Sequence, residues 1–476
     1  MSPPAILWFR QDLRLADNPA LAAAAAGPVL PVYVLEDGPE APGGAARWWL
    51  HHSLAALGRA LAGRGAPLVL LRGDPRRLIP DLAARIGARE VHAGRQTEPG
   101  ARRRDAETHA ALERAGRRLV LHRTALLHEP HLLRTGAGRP YAVYTPFSRA
   151  LFALLQELPP PLPPPARLQA VPGAPAGERL EALALLPRPP QPDWAAEFAT
   201  HWTPGEDGAE ARLAAFLAHG LATYAERRND PAAPWGTSGL SPHLHHGEIS
   251  PRQVWHAARA KGGAGLETFL KELLWREFAH HLLWHRPEMP ERPLRPEFAA
   301  FPWRPDPRLL RAWQRGRTGY PIVDAGMRQL WRIGWMHNRV RMIAASFLVK
   351  HLLQPWQEGQ AWFRDTLLDA DIAANSASWQ WVAGSGADAA PYFRIFNPVL
   401  QGEKFDPAGA YVRRWCPELA ALPDRFIHRP HEAPEIVLRG AGIRLGVDYP
   451  APIVDLAAGR AAALAAFAAI RGDAAA

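Results

Sequence analysis

A run of prolines near residue 160 limits most strongly what this chain can fold into. Residues 158–165 read Leu-Pro-Pro-Pro-Leu-Pro-Pro-Pro, and prolines continue to Pro192. Proline lacks a backbone N–H and has a fixed φ, so this run can be neither a helix nor a central strand. The sequence therefore predicts an extended connector at 131–195 between domains at 1–130 and 196–476. A motif for a proline-recognition partner is the alternative, although a plain linker explains the run with fewer assumptions.

The first 121 residues alternate short apolar runs with longer helical patterns. We expect strands at 6–9, 29–34 and 68–71, and helices at 18–26 and 47–62. This alternation predicts an α/β domain with a parallel, Rossmann-like sheet. No G-x-G-x-x-G motif follows the first strand, so the sequence offers no dinucleotide fingerprint there.

The rest of the chain is helical in character. After Trp194 there are few strand signals, and the alanine-rich segment 456–476 is typical of a last helix. We therefore predict an all-α domain after the connector.

Charge and cysteine content restrict the partners and the compartment. The formal net charge is +10, which favours an anionic partner, with nucleic acid first. A general preference for arginine is the alternative explanation. Cys416 is the only cysteine, so no intrachain disulfide forms, and we expect a cytoplasmic protein. No apolar run is long enough for a membrane span, and no signal peptide is expected.

Tryptophan is concentrated in one region. Ten of the 18 tryptophans lie between Trp275 and Trp381. Core packing explains any one of them. Their mixture with Arg, His and Asn also suits base stacking beside cations and electron transfer near a redox cofactor.

The segment 271–278 contains no helix breaker. Glu272, Trp275 and Arg276 stand at i, i+3 and i+4, so they share a helix face. A carboxylate beside an aromatic ring and a cation can hold the polar edge of a base while the base stacks. Taken alone, a surface ion pair beside a core tryptophan explains the pattern equally simply.

The segment 334–342 predicts a second such face. On a helix, Trp335, Asn338 and Met342 form one line, with Arg341 adjacent and Arg339 turned away. The Asn amide carries a donor and an acceptor, and Met packs adaptably against a flat ligand.

A third motif lies at 369–381, where two aspartates precede Trp379 and Trp381. If both tryptophans are helical, they point roughly 200° apart. One can then face a buried cofactor while the other lines a cavity.

Two histidine-rich motifs raise the alternative of a metalloenzyme. These are Glu277-x-x-His280-His281 and His243-x-His245-His246. A di-iron bundle requires a second Glu-x-x-His on a facing helix, and the sequence has none. We therefore predict no metal.

These motifs together resemble the signatures of the DNA photolyase and cryptochrome family. The matching segments are 8–15, 318–325, 335–342, 369–381 and 386–398. The resemblance covers nearly the whole chain, and it is strongest to class I cyclobutane pyrimidine dimer photolyases. It implies an α/β antenna domain and a helical domain that binds FAD.

The resemblance also implies an FAD site. Tyr224 and the loop 237–241 would hold the phosphates, although a helix cap before Pro242 is the plain alternative. Phe269 stands where the family often has Trp. Asn375 would face the reactive edge of the flavin, where plant cryptochromes carry aspartate. The full set is Tyr224, Thr237, Ser238, Gly239, Leu240, Ser241, Phe269, Glu272, Trp335, Asn338, Arg341, Asp369, Asp371 and Asn375, with Arg341 and Asp369 expected to pair.

The implied reaction is the light-driven splitting of cyclobutane pyrimidine dimers in DNA. An electron would pass from excited, reduced FAD to a flipped-out dimer. The residues expected around the dimer are Glu272, Trp275, Asn338, Met342 and Trp381, and those expected on DNA are Arg228, Trp275, Arg276, Arg339 and Arg394.

Three tryptophans are similar to the chain that reduces oxidised flavin from the surface. Trp379 would be innermost, followed by Trp356 and Trp303. Unrelated core positions are the alternative, above all for Trp303. No task is assigned to Trp284, Trp313, Trp331 and Trp362, and core packing is expected for them.

The resemblance also bears on the antenna chromophore, the partner and the oligomeric state. The antenna domain would hold a second chromophore, either a deazaflavin or methenyltetrahydrofolate. The Asn-Glu pair of the folate-binding type is missing at 98–102, which leaves a deazaflavin, another chromophore or an empty site open. The expected partner is damaged DNA, and the expected state is a monomer. The rival within the family is a cryptochrome-type blue-light sensor, which usually carries a C-terminal extension, and we expect none in this chain.

Overall fold

The computed structural model describes residues 3–38, 41–187, 193–388 and 393–472. The chain forms two compact units. Unit 1 contains Met1–Ala222, Ser238–Pro287 and Leu368–Ala373, and unit 2 contains Thr223–Thr237, Glu288–Leu367 and Ala374–Ala476. Each unit is therefore assembled from segments that are far apart in the sequence.

Unit 1 contains a parallel sheet in the order β3-β2-β1-β4-β5, with a short sixth strand paired to β2. The pairing places Ile6 opposite Leu30 and Val91. The predicted parallel α/β domain is confirmed. The strands are β1 (Ala5–Phe9), β2 (Pro28–Leu35), β3 (Val69–Arg72), β4 (Glu90–Gly94), β5 (Arg118–His122) and β6 (Gln169–Ala170).

Helices make up most of the remaining chain. Those up to residue 285 are α1 (Pro19–Ala24), α2 (Gly44–Gly63), α3 (Pro75–Ile86), α4 (Pro99–Arg114), α5 (Tyr144–Leu154), α6 (Phe198–His201), α7 (Glu206–His219), α8 (Tyr224–Arg227), α9 (Ser241–His246), α10 (Pro251–Lys261) and α11 (Leu266–His285). Those after it are α12 (Pro307–Gln314), α13 (Pro321–Ile333), α14 (Asn338–Ser346), α15 (Trp356–Thr366), α16 (Ile372–Ala383), α17 (Pro398–Phe405), α18 (Ala410–Trp415), α19 (Glu435–Gly440) and α20 (Leu456–Gly472).

Side chains of β1 alternate between two cores, one on each face of the sheet. Leu7 and Phe9 pack with apolar residues of α1 and α2. Ile6 and Trp8 pack with residues of α3 and α4. Successive strand residues point to opposite faces, and both faces are covered by helices, so the strand is apolar throughout.

The proline run itself forms neither helix nor strand, as expected. It is tied to unit 1 at Asp17, whose N–H donates to Leu162 O at 2.8 Å and whose Oδ1 accepts from Leu162 N at 3.0 Å. The predicted connector 131–195 also contains α5 and β6. Its residues 188–192 lie outside the described part of the chain, and the three domain boundaries stay a prediction.

Unit 2 is helical, which confirms the predicted all-α character. At the start of α13, Asp324 accepts hydrogen bonds from the Thr318 hydroxyl at 2.7 Å and from Tyr449 Oη at 2.6 Å. The motif 318–325 is therefore structural in this chain. The expected last helix is α20, and residues 473–476 lie outside the described range. Among the described residues, no helix is both long and apolar enough to cross a membrane.

Candidate functional site

In unit 1, α11 carries the first predicted face. The helix runs without interruption over Leu266–His285, so Glu272, Trp275 and Arg276 lie on one side of it, as predicted. Glu272 is partly buried and Trp275 is 39% exposed. The helix therefore presents an aromatic face to solvent next to a carboxylate.

One face of the Trp275 ring is covered by Tyr144. The two ring centroids are 3.5 Å apart with planes 5° apart, and Tyr144 Oη donates to Lys271 O at 2.9 Å. This stack limits the rotamers of Trp275. Tyr144 was not predicted at this site, because nothing in the sequence links residues so far apart.

Arg276 donates to two backbone carbonyls. Its Nη1 lies 2.6 Å from Ala125 O and its Nη2 3.5 Å from Leu244 O. These contacts hold the guanidinium within unit 1 and occupy part of its hydrogen-bonding capacity. Its predicted contact with DNA stays a prediction.

Phe269 is buried on the same helix. It is 4% exposed and lies 4.7 Å from the Phe216 ring. The ring therefore has a packing role within unit 1, and its contact with FAD stays a prediction.

A cluster of buried polar side chains surrounds Asp371 in unit 1. Asp371 Oδ2 lies 3.3 Å from His280 Nε2 and 4.0 Å from His245 Nδ1. The Thr97 hydroxyl is within 2.7 Å of His280 Nδ1. Burial alone would raise the pKa of Asp371, but His280, Arg276 and His245 more than offset it and hold the pKa well below its ordinary value. The result is a buried aspartate that keeps its negative charge, with Asp369, itself 8% exposed, two residues before it.

The side chain of Arg212 lies beside the predicted phosphate loop 237–241. Gly239 has φ +63°, and a Cβ there would lie 2.7 Å from Arg212 Nη1. Ser238 Oγ accepts from Leu240 N at 3.3 Å, and Ser241 begins α9. The positive φ requires glycine at this position, and the Arg212 guanidinium beside it places a positive charge next to the loop. Arg212 was not predicted, because it lies in α7, well before the loop in the sequence.

In unit 2, one prediction about a helix face is wrong. Gly334, with φ +66°, ends α13 in the left-handed region, and α14 begins only at Asn338. Trp335 therefore lies in the turn between the helices and cannot form a helical line with Asn338 and Met342. The sequence predicted a continuous helix because the pattern of apolar residues continues through the glycine.

The turn between α13 and α14 is closed by His337. Its Nδ1 accepts from Arg339 N at 3.1 Å. Burial, with the nearby charges of Arg339 and Arg341, lowers the pKa of His337 to about 3. The imidazole is therefore neutral and caps the helix. Arg341 donates to Met336 O at 2.7 Å, and its expected pairing with Asp369 stays a prediction.

Three predicted DNA-contacting arginines lie near one another in unit 2. Burial lowers the pKa of Arg339, and the charges of Arg228 and Arg394 lower it further. Arg339 Nη2 donates to Asn229 Oδ1 at 2.7 Å, and its Nη1 lies 3.6 Å from Met342 Sδ. Arginine side chains in such a basic cluster are suited to contact with phosphate. Tyr224 is buried, with the Arg228 guanidinium 5.7 Å from its ring centroid.

Asn375 is oriented by a backbone contact in unit 2. Its Nδ2 donates to Gln360 O at 3.0 Å, while Gln360 Nε2 donates to Ser376 Oγ at 2.8 Å. One amide hydrogen of Asn375 is thereby used, and the direction of the amide is set. Its predicted role at the flavin stays a prediction.

The two tryptophans of α16 differ in burial, as their spacing predicts. Trp379 is 2% exposed, whereas Trp381 is only partly buried. Trp379 contacts the rings of Phe363 at 5.0 Å and Trp313 at 6.2 Å. The motif that continues from here, 386–398, is described except for residues 389–392.

The other two tryptophans of the predicted electron path also lie in unit 2. Trp356 is 2% exposed and begins α15, and Gly359, one turn later, packs against Trp379. Trp303 is partly buried, with its ring 4.3 Å from Phe301. The order of electron transfer stays a prediction.

One tryptophan expected in the core is exposed. Trp331 is 48% exposed, and its ring stacks on Trp362 at 5.9 Å with planes 4° apart. The expectation of core packing is therefore wrong for Trp331.

The histidine-rich motifs have other tasks in unit 1. Glu277 accepts from the N–H groups of Leu127 and His128 at 2.8 and 3.2 Å. His243 Nδ1 lies 2.5 Å from Glu248 Oε2. Across the described ranges, no group of three or more His, Cys, Asp or Glu side chains is arranged to hold a metal ion.

Comparisons with known families match both halves of the chain. The family described as "DNA photolyase" matches residues 5–166. The family described as "FAD binding domain of DNA photolyase" matches residues 269–469.

Two curated relatives and one solved structure are similar over nearly the full chain. A deoxyribodipyrimidine photo-lyase of Agrobacterium fabrum is 52% identical, with 98% of each chain covered. Cryptochrome-1 of Arabidopsis thaliana is 38% identical over 95% of this chain and 68% of that protein. A crystal structure of a bacterial class III photolyase from Agrobacterium tumefaciens has a TM-score of 0.96 at 52% identity, with 99% of this chain and 98% of that chain covered. The expected assignment to class I is not supported by this last similarity.

Proposed function

The chain belongs to the DNA photolyase and cryptochrome family, and we infer from this that it is a deoxyribodipyrimidine photo-lyase. It repairs cyclobutane pyrimidine dimers in DNA with light and FAD. The observation that carries this conclusion is the 52% identity, over 98% of both chains, to the Agrobacterium fabrum enzyme of that name.

FAD is the cofactor, in agreement with the match to the FAD-binding domain. When bound and reduced, it supplies the electron that splits the dimer after light is absorbed. The residues proposed to hold it are those named from the resemblance, from Tyr224 and the loop 237–241 to Asn375. Arg212 joins them, because its guanidinium approaches the Gly239 backbone closely.

We propose that Asp371 provides a fixed negative charge at this cofactor. Support comes from its three cationic or hydrogen-bonding neighbours, His280, His245 and Arg276, which keep it ionised although it is buried. A permanent buried charge orients a polar ligand without moving during the reaction.

We propose that aromatic and polar side chains both contact the dimer. Trp275 and Trp381 would form flat walls, Met342 would pack against the dimer, and Glu272 and Asn338 would bond to its polar edges. The exposed ring of Trp275 and the exposed Asn338 support these roles, because both are open to a ligand.

Arg228, Arg339 and Arg394 are proposed to bind the phosphates of the distorted strand, with Arg276 and Trp275 as further DNA contacts. Support comes from Arg339, which Asn229 holds at 2.7 Å and whose pKa is lowered by burial and by the nearby charges of Arg228 and Arg394. Trp379, Trp356 and Trp303 are proposed to carry electrons that restore reduced flavin.

The second candidate is a cryptochrome-type blue-light sensor. The 38% identity to the Arabidopsis cryptochrome supports it, and the higher identity to the photo-lyase places it second. Within the photolyases we place this chain nearer class III than class I, because of the 52% identity to the class III structure.

Further proposals concern the oligomeric state, the compartment and the antenna chromophore. We propose a monomer that works in the cytoplasm, consistent with a single free, buried thiol at Cys416. An antenna chromophore is proposed without a choice between deazaflavin and methenyltetrahydrofolate.

Survival of irradiated cells tests this function. Expression in a bacterium that lacks its own photolyase should restore survival after ultraviolet irradiation only when the cells are then illuminated. Equal survival in light and darkness, with the protein present and carrying flavin, would instead favour the sensor.

A further inference from the structure

Residues 130–149, which we call the strap, run along α11 in unit 1. At one end, His281 Nδ1 donates to Pro130 O at 3.0 Å, and His285 Nε2 lies 3.3 Å from the same oxygen. Further along, Tyr141 N donates to His281 Nε2 at 3.1 Å. Both nitrogens of the His281 ring thus fasten the strap to the helix.

The other end of the strap reaches the earlier turns of α11. Tyr144 stacks on Trp275 and donates to Lys271 O. Phe147, 2% exposed, lies 5.0 Å from the Phe278 ring. From Pro130 to Tyr144 the strap therefore runs antiparallel to α11, and Tyr144 reaches the residue proposed as a wall of the lesion cavity. Phe147 then packs back toward later turns of the helix.

The outer surface of the strap is basic and exposed. The sequence contains no acidic residue between Glu129 and Glu157, but three arginines. Arg134, Arg139 and Arg149 are all exposed, and none forms an ion pair within the described ranges. Arg134 donates only to carbonyl oxygens, at 3.1 and 3.2 Å, which leaves its positive charge without a counter-charge.

A tight turn fixes the backbone that carries Arg139. Thr135 N donates to Arg139 O at 2.8 Å, and Gly138 N donates to Thr135 O at 2.8 Å. Gly138 has φ +72°, in the left-handed region that the turn requires. A cation on a rigid turn loses little backbone entropy on binding an anion.

We propose that the strap is a DNA-binding surface, in which the arginines contact phosphates next to the lesion and Tyr144 holds the Trp275 ring against the flipped dimer. Phosphate is the anion that matches, because exposed, unneutralised arginines release its counterions on binding. Trp275 lies on α11, and the strap packs against the same helix. DNA that presents a dimer to Trp275 therefore passes close to the strap. This inference rests on the proposed repair function.

The arginines are tested by Arg139→Gln combined with Arg149→Gln in the full-length, flavin-loaded protein. Affinity for undamaged and dimer-containing duplex should fall by the same factor, about threefold or more, and the salt dependence of log K should fall by about 2. The repair rate at saturating DNA should not change. Arg59→Gln, an exposed arginine on α2, is the matched control and should leave both quantities as in the wild type.

Tyr144 is tested by a comparison of Tyr144→Ala with Tyr144→Phe. Alanine removes the stack on Trp275 and should reduce the preference for dimer-containing over undamaged DNA about fivefold or more. Phenylalanine keeps the stack and should restore the preference. Binding to undamaged DNA should be equal in both variants.

The two ideas fail in different ways. If the arginine variants bind DNA with unchanged affinity and unchanged salt dependence, the strap is a structural segment and the inference is wrong. An equal lesion preference in Tyr144→Ala and wild type would overturn the role of Tyr144. Absence of light-dependent repair by the wild type, with DNA binding intact, would refute the proposed function instead.

Discussion

At the scale of single residues, the chemistry depends on partners that the sequence does not reveal. The Asp-x-Asp motif predicted two functional carboxylates, but not the histidines that keep Asp371 ionised. His245 and His280 belong to separate helices, and they were predicted as alternative metal ligands. Tyr144 was missed for the same reason, because contacts between distant segments arise only when the chain folds.

Gly359→Ala should destabilise the protein through Trp379. A Cβ at Gly359 would lie 2.1 Å from the indole ring of Trp379, which is 2% exposed and cannot move freely. Overpacking of this kind costs about 1 to 3 kcal/mol, so we expect a lower melting temperature.

Gly58→Ala is the matched control. Gly58 also lies within a helix, α2, but nothing is within 4 Å of its added Cβ. Alanine there should raise stability by about 0.4 to 1 kcal/mol. The account of tight packing at Trp379 is wrong if both variants shift the melting temperature in the same direction.

At the scale of elements, uninterrupted helical patterns were predicted well and turns were not. α11 was predictable because the segment 271–278 has no Gly or Pro. The region 334–342 was misassigned, because a glycine with positive φ ended one helix inside a pattern that continues across it. The strap was not predictable as a unit, since its contacts with α11 depend on His281 and His285, more than 130 residues away.

Acid should loosen the contact between the strap and α11. Burial lowers the pKa of His281 to about 4, with His285 adding to the effect. Below its ordinary pKa of about 6.5, the unfolded chain takes up the proton before the folded one does. Stability from this group is therefore full above pH 6.5 and is lost as the pH falls toward 4.

Hydrogen exchange of α11 and the strap at pH 7.5 and 5.0 measures this effect. Protection should fall at pH 5.0 in the wild type. His281→Gln keeps one donor and one acceptor and does not titrate, so its protection should change less between the two pH values. An equal change in both proteins would show that His281 is not responsible.

At the scale of the whole molecule, the sequence predicted an α/β part and an all-α part. It did not predict which segments belong to each of the two compact units. The apolar strands of unit 1 and the helical character after Trp194 followed from periodicity. The two compact units each draw on separated segments, such as Leu368–Ala373 in unit 1, and only tertiary contacts determine this division. The connector was recognised from its prolines, whereas its anchor at Asp17 was not.

The net charge of +10 and the arginines of unit 2 predict DNA binding that weakens with salt. Arg339→Gln should lower affinity for any DNA and reduce the salt dependence of log K by about 1, because one phosphate contact is lost. Arg460→Gln, an exposed arginine on α20, is the control and should bind as the wild type does. Loss of lesion preference without a change in salt dependence would contradict a phosphate contact at Arg339.

The most direct test of the repair function is the conversion of a single thymine dimer in a defined oligonucleotide by the purified, flavin-loaded protein. Under blue or near-ultraviolet light, chromatography should show the dimer restored to two thymines over many turnovers, with no conversion in darkness. Tight binding of the dimer-containing strand without conversion in light, while the flavin is fully reduced, would contradict the assignment as a photo-lyase.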